Sequence, residues 1–338
     1  MERLTPFTLH RPASLAEAVA LLAREPSARA IAGGTDLVPN LRDGLGAPAA
    51  LVDLTAIAGL DAIEVAADGN ATIGAAVTLA RLARDEALAG VLPVLREAAL
   101  VIAGPGHRTL ASVGGNLCLD TRCVYYNQSA WWRRANDYCL KHGGETCHVA
   151  PQGKRCHAAF AGDLAPALIA LGAEVDVVGP EGARRLPLED LYADDGAAHL
   201  ALARGELLAG VRVAAQPPGA RSAYRKARAR GAIDFPLAGV AVRLALAGGR
   251  IADLRVALTG TNSRPLRVAG AEAWIGAAPD ETLFAAVAKA VQKQVSPMRT
   301  TLTSSYWRRS VAGVLARRLV AELAARDGVA SDGGAADG

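Results

Sequence analysis

The sequence predicts an α+β chain built from a small α/β unit, a second mixed unit, and a C-terminal antiparallel sheet with helices. Three observations carry this. Helical and strand-like runs alternate as far as Leu54. A hairpin signal at Asp68-Gly69-Asn70 then opens a region of different pattern. Beyond the Pro/Gly break at Ala214–Ala220, strand-like runs precede two long helical ones.

Taken in order, Ser14–Arg24 reads as an amphipathic helix. Ser14 and Glu17 fit a capping box, and Leu15, Val19 and Leu22 follow at helical spacing. Ala28–Ala32 is a short strand. It runs into Gly33-Gly34-Thr35-Asp36, a turn that opens a helix over Leu37–Arg42, and a strand follows at Ala50–Leu54. Ile63-Glu64-Val65 and Thr72-Ile73-Gly74 flank the hairpin turn, and helices are expected over Thr78–Ala89 and Leu92–Ile102. A second Gly-rich stretch runs from Gly104 to Leu117. After the cysteine-rich segment, a helix resumes at Gly162-Asp163 and a strand at Glu174–Val178. In the C-terminal part, Val240–Ala247, Gly248-Gly249-Arg250 and Leu254–Leu258 read as antiparallel strands, with helices at Asp280–Lys293 and Tyr306–Leu323. The organisation expected is residues 1–57, then 58–216 with an insertion at about 118–158, then 217–326, and a polar, disordered tail at 327–338.

Composition narrows the function classes. Of 338 residues, 51% are hydrophobic and 21% charged, ample for two or three cores. The net charge is only +4 and is scattered, which argues against nucleic acid as a partner. The opening MERLTPFTLHRP is broken by charges and prolines and does not read as a signal peptide. No apolar run is long enough for a membrane helix. The expectation is a cytoplasmic protein with neither nucleic acid nor membrane as partner.

The Gly33-Gly34 turn offers consecutive backbone N–H groups at the mouth of a helix, as a pyrophosphate requires. Ser112-Val113-Gly114-Gly115-Asn116 has the same chemistry. Taken singly, each has a plainer account: an ordinary capped strand-to-helix turn for the first, a tight turn with a left-handed Asn for the second. Together they suggest a dinucleotide-type phosphate site.

All five cysteines lie between Cys118 and Cys156, with five of the 14 aromatic residues. The spacing Cys123-x15-Cys139-x7-Cys147-x8-Cys156 has neither the paired knuckles of a zinc ribbon nor the close run of bacterial ferredoxins. In a reducing compartment such clustering points to a metal centre. An iron–sulfur cluster fits, with Arg122, Arg133, Arg134, Lys141, Lys154 and Arg155 near in sequence to offset its charge. Structural zinc is the rival, with His142, His148 or His157 able to replace a thiol. Cys118 stands apart and reads as a packed apolar thiol. Asp163 is either a helix cap or a carboxylate facing a ligand; Lys226 is either a surface charge or a phosphate or ring contact. No hydrolytic constellation stands out.

Ala32-Gly-Gly-Thr-Asp-Leu37, Thr109-x-x-Ser-Val-Gly-Gly-Asn116, Asp163-Leu-x-Pro-Ala-Leu and the Tyr-Arg-Lys226 stretch together resemble the flavoprotein subunits of the xanthine oxidase family of molybdenum enzymes. The resemblance implies a two-subdomain FAD-binding domain of the vanillyl-alcohol-oxidase/PCMH type, then a C-terminal domain of antiparallel sheet with helices. It implies FAD contacts from Ala30, Ile31, Ala32, Gly33, Gly34, Thr35, Asp36, Leu37, Thr109, Ser112, Gly115, Asn116, Asp163 and Lys226. The cysteine insertion is similar to that of one branch, the β subunits of 4-hydroxybenzoyl-CoA reductases, which implies a [4Fe-4S] cluster on Cys123, Cys139, Cys147 and Cys156. It further implies a molybdopterin-binding large subunit and a small subunit with two [2Fe-2S] clusters, in a dimer of heterotrimers. On this resemblance a ferredoxin-like donor sends electrons inward for reductive removal of a phenolic hydroxyl. The alternatives are an aerobic molybdenum hydroxylase passing electrons outward, and a zinc-stabilised assembly scaffold.

Overall fold

The computed structural model describes residues 4–325. The expected C-terminal tail lies outside the described residues. Three sheets organise the chain, and each takes strands from a separate stretch of sequence.

The first unit comprises β1 (Thr8–His10), α1 (Leu15–Arg24), β2 (Arg29–Ile31), α2 (Leu37–Arg42) and β3 (Ala50–Asp53). Its sheet has the order β1-β3-β2 and is parallel throughout. The Ser14 cap forms as expected, accepting from the Glu17 amide, but Glu17 reaches back to the Ala13 amide rather than to Ser14. Ala18, Val19 and Leu22 bury one face of α1 against Val52 and Ile57.

The second unit holds β4 (Ile63–Val65), β5 (Ala71–Gly74), α3 (Leu79–Arg84), α4 (Glu86–Val91), α5 (Pro93–Leu100), α6 (Pro105–Arg108), α7 (Val113–Leu117), α8 (Ala130–Ala135), α9 (Leu164–Leu171), β6 (Glu174–Gly179), β7 (Gly182–Pro187) and β8 (Leu207–Val213). Its five-stranded antiparallel sheet has the order β4-β5-β8-β6-β7. The single helix expected over Thr78–Ala89 is two. Asp85 is extended, and its carboxylate accepts from the Leu88 amide to start α4. A local cap thus overrides a helical pattern that runs through it. Every residue of α9 is buried, so this helix is the hub of the largest core.

The third unit is β9 (Arg221–Ala227), β10 (Ala238–Ala247), β11 (Arg250–Thr259), β12 (Leu266–Arg267), α10 (Glu281–Gln294) and α11 (Ser305–Ala325). Its sheet is antiparallel, in the order β12-β11-β10-β9. Val240, Val242 and Leu244 point to the two helices and pack on Val287, Val291, Ala316 and Val320. The alternate residues Ala241 and Ala257, with Tyr224 of β9, join the core around α9 instead. The period of two along β9, β10 and β11 therefore ties the third unit to the second. The α+β architecture matches the expectation from sequence.

Candidate functional site

The two glycine turns meet. A Cβ on Gly33 would lie 1.9 Å from the carbonyl oxygen of Leu110, so only glycine lets these backbones approach. Gly34 has φ +67°, the left-handed region, which turns the chain from β2 into α2. The backbone N–H groups of Gly33, Gly34, Thr35 and Asp36 find no acceptor among the described residues. Four successive unpaired donors at the mouth of a helix make a concavity suited to a phosphate anion.

The second turn is more fully satisfied. Ser112 caps α7, its Oγ accepting from the Gly115 amide at 3.0 Å. Gly114 packs on Ala75, where a Cβ would come within 2.8 Å. Asn116 is helical rather than left-handed. Its Oδ1 accepts from the Leu164 amide at 3.0 Å, which fixes the start of α9 against α7. The Thr109 hydroxyl donates to the Gly106 carbonyl at 2.8 Å. Ala30 and Ile31 lie in β2, with Ala32 leading into the turn and Leu37 opening α2.

Asp163 precedes α9 but does not cap it. Its carboxylate accepts from the Tyr224 hydroxyl at 2.6 Å and from Lys226 Nζ at 3.1 Å, with both charged side chains buried. Burial pushes the Asp163 carboxyl above the usual carboxylate range, against the pull of Lys226. Residues 63 positions apart in sequence thus form one buried pair, and neither plainer account, a helix cap or a surface charge, describes them.

The cysteine segment is an outgrowth with a narrow neck. Arg122 and Ala159 exchange both backbone hydrogen bonds at 2.8 Å. Beyond the neck, α8 and a turn of 3-10 helix at Leu140–His142 are the regular structure. Cys123, Cys139, Cys147 and Cys156 line one small cavity with Tyr125, Tyr126, Lys141 and His148. The space enclosed amounts to about 10 Å³, room for about one water. Among the described residues, no group of three or more His, Cys, Asp or Glu side chains is placed to hold a metal ion. Backbone amides of Tyr125 and Ala158 donate to the sulfurs of Cys123 and Cys156. Burial pushes the Cys123 and Cys156 thiols up to about 11. Cys118 lies outside the cavity, packed against the main core, and burial pushes its thiol up to about 12.

Hydrogen bonds tie this outgrowth to the first unit. Arg133 is fully buried and donates to the carbonyls of Asp43 and Gly44, which follow α2, and of Gln128. Asp36 receives Arg122 and the Asp120 amide, the latter at 3.2 Å. Asp120 in turn accepts from Lys141 Nζ at 2.6 Å. A line of hydrogen bonds therefore runs from the thiol cavity, through Lys141, Asp120 and Asp36, to the turn of bare amides. Sequence reasoning named Lys141 but not Asp120, whose place shows only once the neck closes.

Family profiles agree with this architecture. The profile described as FAD binding domain in molybdopterin dehydrogenase matches residues 5–215. The one described as CO dehydrogenase flavoprotein C-terminal domain matches residues 203–323. The chain is 32% identical over 323 residues to the carbon monoxide dehydrogenase medium chain of Afipia carboxidovorans, spanning 95% of this chain and 97% of that one. It is 35% identical over 292 residues to the aldehyde oxidoreductase FAD-binding subunit PaoB of Escherichia coli, spanning 82% and 90%. Among solved structures, reconstituted CO dehydrogenase from Oligotropha carboxidovorans is similar with a TM-score of 0.79 at 29% identity, covering 96% of this chain and 99% of that one. No helix among the described residues is long and apolar enough to cross a membrane. With matches that span nearly its whole described length, the chain belongs to the FAD-binding medium subunits of the xanthine oxidase family of molybdenum enzymes, is CO dehydrogenase-like, and is an oxidoreductase subunit.

Proposed function

We propose that this subunit carries FAD at the meeting of its glycine turns and a [4Fe-4S] cluster on Cys123, Cys139, Cys147 and Cys156, and relays electrons between them. The observation that carries the cluster is the shared cavity. Four thiols from separate loop segments line one cavity. Four thiolates are the donor set that a [4Fe-4S] cluster takes. Amide donors to two of the sulfurs favour the thiolate state and ease reduction of a negatively charged cluster.

For the flavin, the free amides of Gly33 to Asp36 receive the pyrophosphate. Ser112 and Asn116 hold the second turn in place, and the buried pair Asp163–Lys226 forms a polar floor able to meet a ribityl or ring group. Bound flavin supplies the one- and two-electron chemistry; the protein supplies orientation and charge.

The wider assembly follows from the same reading: a molybdopterin-binding large subunit, a [2Fe-2S] small subunit, and a low-potential donor such as ferredoxin. The reaction served is reductive dehydroxylation of 4-hydroxybenzoyl-CoA to benzoyl-CoA at the partner's molybdenum. A second reading, outward flow from an oxidised substrate, is favoured by the relatives, which are carbon monoxide, xanthine and aldehyde dehydrogenases or oxidoreductases by name.

The test is iron, sulfide, zinc and flavin content of anaerobically prepared chain, with EPR after dithionite. About four irons per chain, with a cluster signal lost in Cys139→Ser while flavin stays, is the expected result. Stoichiometric zinc without iron sinks the cluster. Slow reduction by ferredoxin beside fast reduction by a hydroxylase substrate in the whole complex decides for outward flow.

A further inference from the structure

Six cations of the insertion stand near the cysteines in sequence, but the fold treats them differently. Arg134 and Lys154 are exposed. Arg122 is turned to Asp36, and Arg155 to Asp194. Arg133 is spent on backbone carbonyls. Lys141 alone both lines the thiol cavity and is buried, its side chain 6% exposed. Its ammonium stands over the Tyr126 ring at 4.4 Å and has one carboxylate partner, Asp120, whose side chain is 31% exposed. A buried charge beside a low-dielectric cavity acts at close range with little screening, whereas exposed charges are damped by water and salt. Asp120 partly cancels that charge and carries the line of hydrogen bonds on to Asp36 at the glycine turn.

We propose that the Lys141–Asp120 pair sets the reduction potential of the cluster in the cysteine cavity, Lys141 raising it and Asp120 lowering it, and that the other cations of the insertion do not. This rests on the cluster reading above. Reduction adds an electron to a group already negative, so a fixed positive charge alongside favours the reduced state. Because the pair holds one charge of each sign, its two members act in opposite directions. A purely structural role has no such signature.

The experiment is an EPR-monitored redox titration of the full chain, reconstituted anaerobically with iron and sulfide. Lys141→Gln is expected to lower the reduced-to-oxidised ratio at fixed potential about tenfold, a shift of about 59 mV for one electron. Asp120→Asn keeps an acceptor for the ammonium and is expected to shift the ratio the other way. Lys141→Arg is expected to restore it, and Arg134→Gln and Lys154→Gln to leave it unchanged. If Lys141→Gln fails to hold a cluster, the Asp120→Asn arm decides alone: a rise supports the pair, and no change overturns it. Equal shifts in Arg134→Gln also overturn it. Absence of any cluster signal in the unaltered chain removes the cluster reading itself; a signal unmoved by both pair variants leaves that reading standing and defeats this one.

Discussion

The glycine turns and the cysteine cavity are joined by three hydrogen-bonded residues, yet they are built on opposite principles. The first is a backbone site. Its donors are main-chain amides, its shape comes from missing Cβ atoms, and regular elements hold it in place. The second is a side-chain site. Its groups come from scattered loop positions, and it is held by a narrow neck and by cations tied to distant carbonyls and carboxylates. The difference teaches where each is vulnerable. A backbone site fails when atoms are added, a side-chain site when they are removed.

The largest effect is expected at the buried pair beside the glycine turns. Lys226→Met strands Asp163, which costs about 3–5 kcal/mol. The Asp163→Asn, Lys226→Met double variant should recover part of it in a thermal-unfolding cycle. The sign with pH is specific. Asp163 already titrates above the usual range, and losing Lys226 raises it further. The folded state then holds a proton that the unfolded chain has released, so stability of Lys226→Met should rise as pH falls toward the carboxylate range. A deficit independent of pH would show that the carboxylate is not the cause.

Gly33→Ala comes next. The added methyl meets the Leu110 carbonyl and forces the turns apart. Overpacking of this kind costs about 1–3 kcal/mol, and flavin content should collapse while iron content stays. Loss of both would mean that the two sites are one cooperative unit. Ser112→Ala removes one cap, for about 1 kcal/mol, with a modest weakening of flavin retention in equilibrium dialysis.

The smallest effect concerns His199, buried under the base of the insertion with Nε2 on the Leu119 carbonyl at 2.9 Å. Burial holds this ring below the ordinary histidine range, so the folded chain stays neutral where the unfolded chain, at about 6.5, takes up a proton. Its contribution is full above that pH and declines below it. Urea midpoints should fall on acidification through that window, and His199→Gln should flatten the decline.

Much of the frame was legible in the sequence. The capped helix at Ser14, the turn at Gly33-Gly34, the hairpin at Asp68-Gly69 and both C-terminal helices follow from local pattern, and α2 falls where the spacing put it. What escaped was long-range or weakly patterned. Thr8–His10 is only three residues, mostly exposed, and becomes a strand by pairing in parallel with β3. β7 is charged and exposed, and reads as a loop until β6 pairs with it. β8 slots between β5 and β6, although nothing near it in sequence says so.

By itself the sequence determined the two glycine turns and the confinement of every thiol to one segment, because backbone permissiveness and residue chemistry are local properties. Only the tertiary structure decided that Asp163 meets Lys226, that four thiols share one space while Cys118 does not, and that Lys141 is the one of six candidate cations both buried and at the cavity. Burial and pairing depend on what the rest of the chain brings alongside, and no spacing along a single strand of sequence encodes that.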